Sequence, residues 1–202
     1  MTKPIPEQES EWLRQARDGD SAAFARLVEA YQVPVFNLCY RMLGGADLAE
    51  EASQEVFLKA FRNLSAYDPR RPFRTWLLSI AAHHAIDGIR RRRLTTVSLE
   101  DLPAESVPGE RSLGPEAALL EREKGEEVRA MLGQLGPRDR AAVILRYWYD
   151  LSYEEMADML QTSVGSVKSR LHRARRLLAM QATPDRLPVG GGGGRRVDAP
   201  AV

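Results

Sequence analysis

The sequence predicts an all-α protein built from two small helical domains. Three observations carry that expectation. Apolar residues recur at helical spacing through both halves of the chain. Helix ends are marked by recognisable punctuation: Asp20, Gly44-Gly45, and Ser152 followed three residues later by Glu155. The stretch Leu151 to Ala179 reads as a helix, a tight turn and an arginine-loaded second helix.

Taken in order, residues 1–9 are polar with two prolines and are expected to be loose. A short helix follows, with Trp12, Leu13 and Ala16 on one side, and Gly19 ends it. Asp20 caps a longer helix, Ser21 to Leu43, whose apolar residues run from Phe24 and Leu27 to Leu38 and Met42. Pro34 inside it should kink the helix or leave a carbonyl unpaired. Gly44-Gly45 is the stop. Asp47 is expected to start a third helix, with Glu50 at the capping-box position and Asp47, Glu50, Glu51, Gln54 and Glu55 forming a polar stripe. By itself that stripe reads as solvated surface.

Residues 65–72 (SAYDPRRP) form a loop, and Phe73 to Arg93 a fourth helix ending in four arginines. Leu94 to Pro115 is Pro-rich and acidic without periodicity, which predicts a flexible linker. Glu116 to Leu135 resumes as helix, and Pro137, suited to a first helical position, opens the next. In the helix-turn-helix, Ser152 and Glu155 form a capping box, Leu151 and Met156 stand where a hydrophobic staple would close, and Ser163 caps the second helix. Gln161 occupies a turn position where glycine is common; left-handed there, Gln costs about 1 kcal/mol. Residues 181–202 form a Gly- and Pro-rich tail, expected to be disordered.

A length of 202 residues with 44% hydrophobic content suffices for these domains. The net charge of +1 hides segregation. Arg90 to Arg93 and the second helix of the helix-turn-helix are basic blocks, while Glu100 to Glu127 holds nine acids. That arrangement suggests nucleic-acid surfaces joined by a repelling segment. A lone cysteine, Cys39, excludes an internal disulfide and a cysteine-based zinc site. No apolar run approaches transmembrane length and no signal-peptide core begins the chain, so a cytoplasmic protein without membrane insertion is expected.

On a helical wheel, Val167, Leu171, Ala174 and Leu178 make a buried stripe along the second helix. Ser169, His172, Arg173 and Arg176 face away from it. Lys168 and Arg175 flank one side, Ser166 and Arg170 the other. Five cations and no acids lie between Ser163 and Ala179. A helix apolar on one side and cationic on the other, preceded by a short capped helix, suits the major groove of DNA. The solvated-face alternative usually mixes signs. Upstream, Tyr67, Phe73 and Trp76 interleave with Arg70, Arg71, Arg74, Arg90 and Arg91, offering stacking faces and backbone charges for unstacked bases. Phe73 and Trp76 are equally readable as core.

With these pieces in place, the chain resembles the extracytoplasmic-function group of bacterial RNA polymerase sigma factors. AEEASQEVFLKAFRNL (Ala49 to Leu64) is similar to the polymerase-binding helix of sigma region two. FRTWLLSIAAHHAIDGIRRRR (Phe73 to Arg93) is similar to its promoter-melting helix. LGQLGPRDRAAVILRYWYDLSYEEMADMLQTSVGSVKSRLHRARRLL resembles region four. The resemblance implies a region-two domain at 10–93, a linker at 94–115 and a region-four domain at 116–180. It implies that Asp47, Glu50, Glu51, Gln54, Glu55 and Phe57 dock on the clamp helices of the polymerase's largest subunit, with region four at the flap.

It further implies that Ser166, Lys168, Ser169, Arg170, His172, Arg173 and Arg176 contact the minus-thirty-five element. Tyr67, Arg70, Arg71, Phe73, Arg74, Trp76, His83, Asp87, Arg90 and Arg91 would serve the minus-ten element, Ala66 to Pro72 matching the loop that receives a flipped base. Core polymerase, promoter DNA and an anti-sigma factor are the partners implied, with no cofactor or metal. Departures are Ala82-His83, where the family often has Arg-Asn, and Gly88, where a bulky residue is common.

A stand-alone helix-turn-helix regulator is the competing function, with residues 1–93 as sensor or dimerisation domain. An enzyme finds less support. His83 and Asp87 share a helix face, but two candidate ligands without a third are not a metal site. Gly190 to Gly194 lacks the strand and helix a phosphate-cradling loop requires.

Overall fold

Residues 7–95 and 115–182 are described by the computed structural model, so the expectations for the linker at 96–114 and the tail at 183–202 lie outside the described residues. Among the described residues eight α-helices follow one another: α1 Glu7–Arg17, α2 Ser21–Leu43, α3 Ala46–Arg62, α4 Phe73–Thr95, α5 Pro115–Gln134, α6 Pro137–Tyr147, α7 Tyr153–Met159 and α8 Val164–Ala182. A 3-10 turn, Leu64–Ala66, follows α3.

Local chemistry explains most of the boundaries. Asp20 accepts from the backbone of Ala22 at 2.8 Å and Ala23 at 3.2 Å, satisfying two of the unpaired donors at the start of α2. At its end Gly44 is left-handed (φ 84°) and its N–H bonds the Tyr40 carbonyl. The helical assignment of α2 continues through Pro34. The start of α3 differs from expectation. Gly45 is the N-cap, with no side-chain cap, and Asp47 lies inside the first turn, so no Asp47–Glu50 capping box forms. The two glycines complete the chain reversal by Gly45, and the helix begins at Ala46 before Asp47 can cap it. Asp47 still favours the helix through the macrodipole.

Around α2 the first bundle closes, with α1, α3 and α4 packed on it. Its interior holds Leu27, Val35, Leu38, Met42, Val56, Phe73 and Leu77, all essentially without solvent contact. In the second bundle, α6 and α7 pack on α8 through Ile144, Leu145, Met156, Val167 and Leu171. The two bundles meet. Helices α2 and α4 pack on α6, and α4 also touches α7. Arg140 is buried in this seam, donating to the Met42 carbonyl of α2 at 2.5 Å and to the Gly133 carbonyl at 2.7 Å. The Tyr149 hydroxyl donates to the Pro34 carbonyl at 2.5 Å. Arg41 stacks over Trp148 and Arg74 over Tyr149, at 5.3 and 5.5 Å.

Candidate nucleic-acid interface

The helix-turn-helix assembles from its caps. Ser152 Oγ accepts from the Glu155 N–H at 3.2 Å while Glu155 Oε2 accepts from the Ser152 N–H at 2.8 Å, a complete capping box. Leu151 and Met156, the staple pair, are both buried. The turn is left-handed at Gln161 (φ 48°). There the Thr162 N–H bonds the Ala157 carbonyl and the Gln161 N–H bonds the Asp158 carbonyl, the paired closure of a Schellman end. Ser163 Oγ then accepts from the Ser166 N–H at 3.1 Å and opens α8. Val167, Leu171 and Ala174 are buried, as the wheel predicts.

The outward face of α8 presents Ser169, His172 and Arg176, all exposed. Lys168 is exposed on one flank and stacks over Tyr153 at 5.7 Å. Ser166 is half-buried, its hydroxyl 2.9 Å from that of Ser163. Arg173 does not point freely outward. Its Nη2 and Nε donate to the Asp139 carboxylate at 2.9 and 3.2 Å, and that pairing holds its pKa above the ordinary value. Arg170 lies nearer the seam than a flanking residue should, with a side chain only 16% exposed. Burial and the neighbouring Arg138 push its pKa down.

In the segment that the sequence reading gave to the minus-ten element, the structure corrects one expectation. Tyr67 is 3% exposed and Phe73 is 0% exposed, so neither offers a base a stacking face. Their rings pack edge-on at 5.5 Å, Trp76 closes on both, and Tyr31 meets Phe73 from α2. The Tyr67 hydroxyl donates to the Arg71 carbonyl at 2.5 Å, and burial pushes that phenol up to about 12. These aromatics shape the loop from inside, because loop closure needs apolar anchors more than the surface needs rings. Trp76 alone is half-exposed. On the loop, Arg70 grips Asp68 at 2.8 Å and holds its carboxyl down at about 2, while Arg71 and Arg74 are exposed.

Along α4, His83, Asp87 and Arg90 share one face and line a cavity of about 90 Å³ with Arg138, Leu160 and Arg170 of the second bundle. His83 Nδ1 donates to the Ser79 carbonyl at 2.8 Å. Arg91 is exposed. The neighbouring His84 turns away from that face towards α3. Its Nδ1 accepts from Lys59 Nζ at 2.7 Å, and burial followed by the Lys59 charge pushes its pKa down.

On α3, Asp47, Glu50, Glu51, Gln54 and Glu55 are all exposed, and Phe57 is buried. Glu50, Gln54 and Phe57 line one wall of an apolar groove of about 1530 Å³ between α2, α3 and α5. Val33, 62% exposed, and the exposed Leu58, Phe61, Val128 and Trp148 also line it. The sequence reading found the stripe and missed the groove. The available signal was Val33 and Leu58, apolar residues outside the helical repeat that fills the core.

Comparison with known proteins follows the same division. Residues 27–95 match the family described as Sigma-70 region 2, and residues 125–178 match Sigma-70, region 4. The chain is 34% identical over 175 residues to the ECF RNA polymerase sigma factor SigW of Bacillus subtilis, covering 84% of this chain and 94% of that protein. It is 34% identical over 186 residues to the RNA polymerase sigma-H factor of Pseudomonas aeruginosa, covering 88% and 95%. The solved structure of CnrH, in complex with the cytosolic domain of CnrY, superposes with a TM-score of 0.64 at 26% identity, covering 89% of this chain and 100% of that one. Two matched regions in the right order, on a chain spanning nearly the full length of these relatives, make the protein a member of the extracytoplasmic-function sigma factors, which direct RNA polymerase to promoters to initiate transcription.

Proposed function

We propose that three surfaces divide the work of promoter-specific initiation. The acidic stripe of α3, with the apolar groove beside it, docks on the clamp helices of core polymerase. An amphipathic helical partner bearing cations would fill the groove and pair with Glu50, Glu51 and Glu55. The α8 face carried by Ser169, His172, Arg173 and Arg176 reads the minus-thirty-five element, with Lys168 and Ser166 at the phosphates. Arg70, Arg71, Arg74, Trp76, His83, Asp87, Arg90 and Arg91 meet the opened minus-ten element, while Tyr67 and Phe73 support the loop from within. Region four would reach the flap. Such a protein works in the cytoplasm, with its polymerase.

The observation that carries this reading is the α3 stripe along an open apolar groove, since a stand-alone DNA-binding regulator needs no such face. The solved structure of CnrH holds it in complex with the cytosolic domain of CnrY, and an anti-sigma factor seated over the groove of this chain would block docking here. The test is capture of core polymerase by the full-length protein, followed by transcription from a promoter template. Wild type is expected to capture core and Glu51→Arg to lose capture with unchanged thermal melting. Normal capture by Glu51→Arg overturns the docking assignment.

A further inference from the structure

We infer that Asp139, which belongs to none of the surfaces assigned above, is a positioning residue that sets how Arg173 meets a base. The inference rests on the reading of Arg173 as a base contact. Asp139 lies in the first turn of α6, where a carboxylate is favoured by the helix dipole. Its Oδ1 accepts from Arg173 Nη2 at 2.9 Å and its Oδ2 from Arg173 Nε at 3.2 Å. Arg170 Nη1 stands 3.9 Å from Oδ1. The Asp139 side chain is 16% exposed and that of Arg173 56%, so the carboxylate is seated inward and the guanidinium outward.

A guanidinium has five N–H donors on a rigid plane. Asp139 occupies the edge formed by Nε and Nη2. Both hydrogens of Nη1 and the second of Nη2 remain free. One hydrogen of Nη1 and that second hydrogen of Nη2 form the end-on pair of donors that fits O6 and N7 of guanine. An unheld arginine would surrender rotamer freedom on binding; one already held does not. An ion pair this exposed adds little to folding stability, so its effect falls on recognition. The carboxylate also sets an anion beside two cations of the DNA face, which opposes indiscriminate phosphate binding.

The experiment uses the full-length chain assembled with core polymerase. It is offered a pool of promoter duplexes randomised across the upstream element. Arg173→Ala defines the base pair that Arg173 reads, as the position whose preference is lost. Asp139→Ala is expected to lower preference at that same position about tenfold and to leave the others intact. The double variant should lose no more than Arg173→Ala alone, and Asp139→Glu should recover part of the preference. Asp139→Asn, which keeps the shape and one acceptor oxygen, should be intermediate, and it serves if the alanine variant does not fold. The salt dependence of binding to non-promoter duplex should steepen by up to about one unit in the logarithmic slope.

A folded Asp139 variant with lowered melting temperature and an intact base profile overturns the inference, because a merely structural role predicts that pattern. Additive losses in the double variant overturn it too. Should Arg173→Ala retain the full base profile, the base-contact reading fails and the inference falls with it. Loss in Arg173→Ala with retention in both Asp139→Ala and Asp139→Asn defeats the positioning role alone.

Discussion

Gln161 carries backbone strain inside the most regular motif of the chain. Its φ of 48° places a side chain in the left-handed region, where an L residue with a Cβ is disfavoured. The Schellman bonds at Thr162 and Gln161 compensate by satisfying the last carbonyls of α7. Gln161→Gly keeps those bonds and relieves the strain, so it should raise unfolding free energy by about 1 kcal/mol in chemical denaturation. A second prediction concerns His84. Its folded pKa is depressed by burial and by Lys59, while unfolded histidine titrates near 6.5. Below about 6.5 the unfolded chain therefore binds more protons than the folded one. The contribution of His84 is thus fully present above that pH and is lost as pH falls through the lower folded value. Melting temperature should decline on acidification through this range, and His84→Gln, which cannot take up a proton, should flatten that part of the profile.

At the scale of elements, capped ends and buried stripes account for α2, α7 and α8, whereas α4 holds a local weakness. Gly88 sits within this 23-residue helix one residue before Ile89 and two before the arginine block. A Cβ built there would meet only Leu43 Cδ2, at 3.9 Å, an ordinary contact. Gly88→Ala should therefore stabilise the protein by about 0.5–1 kcal/mol, read by denaturant midpoint, because alanine lowers the entropy of the unfolded chain without strain. The opposite result would show that the α4 end must bend in the free protein. Helix α3 makes a complementary point. Its five polar stripe positions were visible as a pattern, but the groove beside them is closed by α2 and α5, so it could not be seen from α3 alone.

At the scale of the molecule, the seam between bundles is the decisive feature. Arg140 and Tyr149 donate hydrogen bonds across it, to the Met42 and Pro34 carbonyls, and Arg74, His83, Asp87, Arg90 and Arg170 lie along it. The proposed minus-thirty-five and minus-ten elements, about 25 base pairs apart by their positions, are separated by roughly 85 Å of duplex at 3.4 Å per step. On the proposed reading, in which one bundle meets each element, bundles in contact cannot hold both at once, and that reading expects the seam to open on the promoter. Arg140→Ala leaves the Met42 and Gly133 carbonyls without their charged donor, and it should cost about 2–3 kcal/mol of stability in thermal or denaturant unfolding. Energy transfer between dyes on α3 and α8 should be high in the free wild type. It should fall in Arg140→Ala and in the promoter-bound holoenzyme.

By itself the sequence determined the helices and the chemistry of their faces. Periodic apolar positions, the Asp20 and Ser152 caps and the one-signed α8 face are local properties, written within one or two turns of chain. Tertiary structure alone decided the rest. It buried Tyr67 and Phe73 against Tyr31 and Trp76, paired Arg173 with Asp139 thirty-four residues away, and joined Arg140 to Met42 across ninety-eight. The reason is physical. A residue's period says which side of its helix it occupies, but burial and pairing depend on what another helix brings to that side. Only packing settles that.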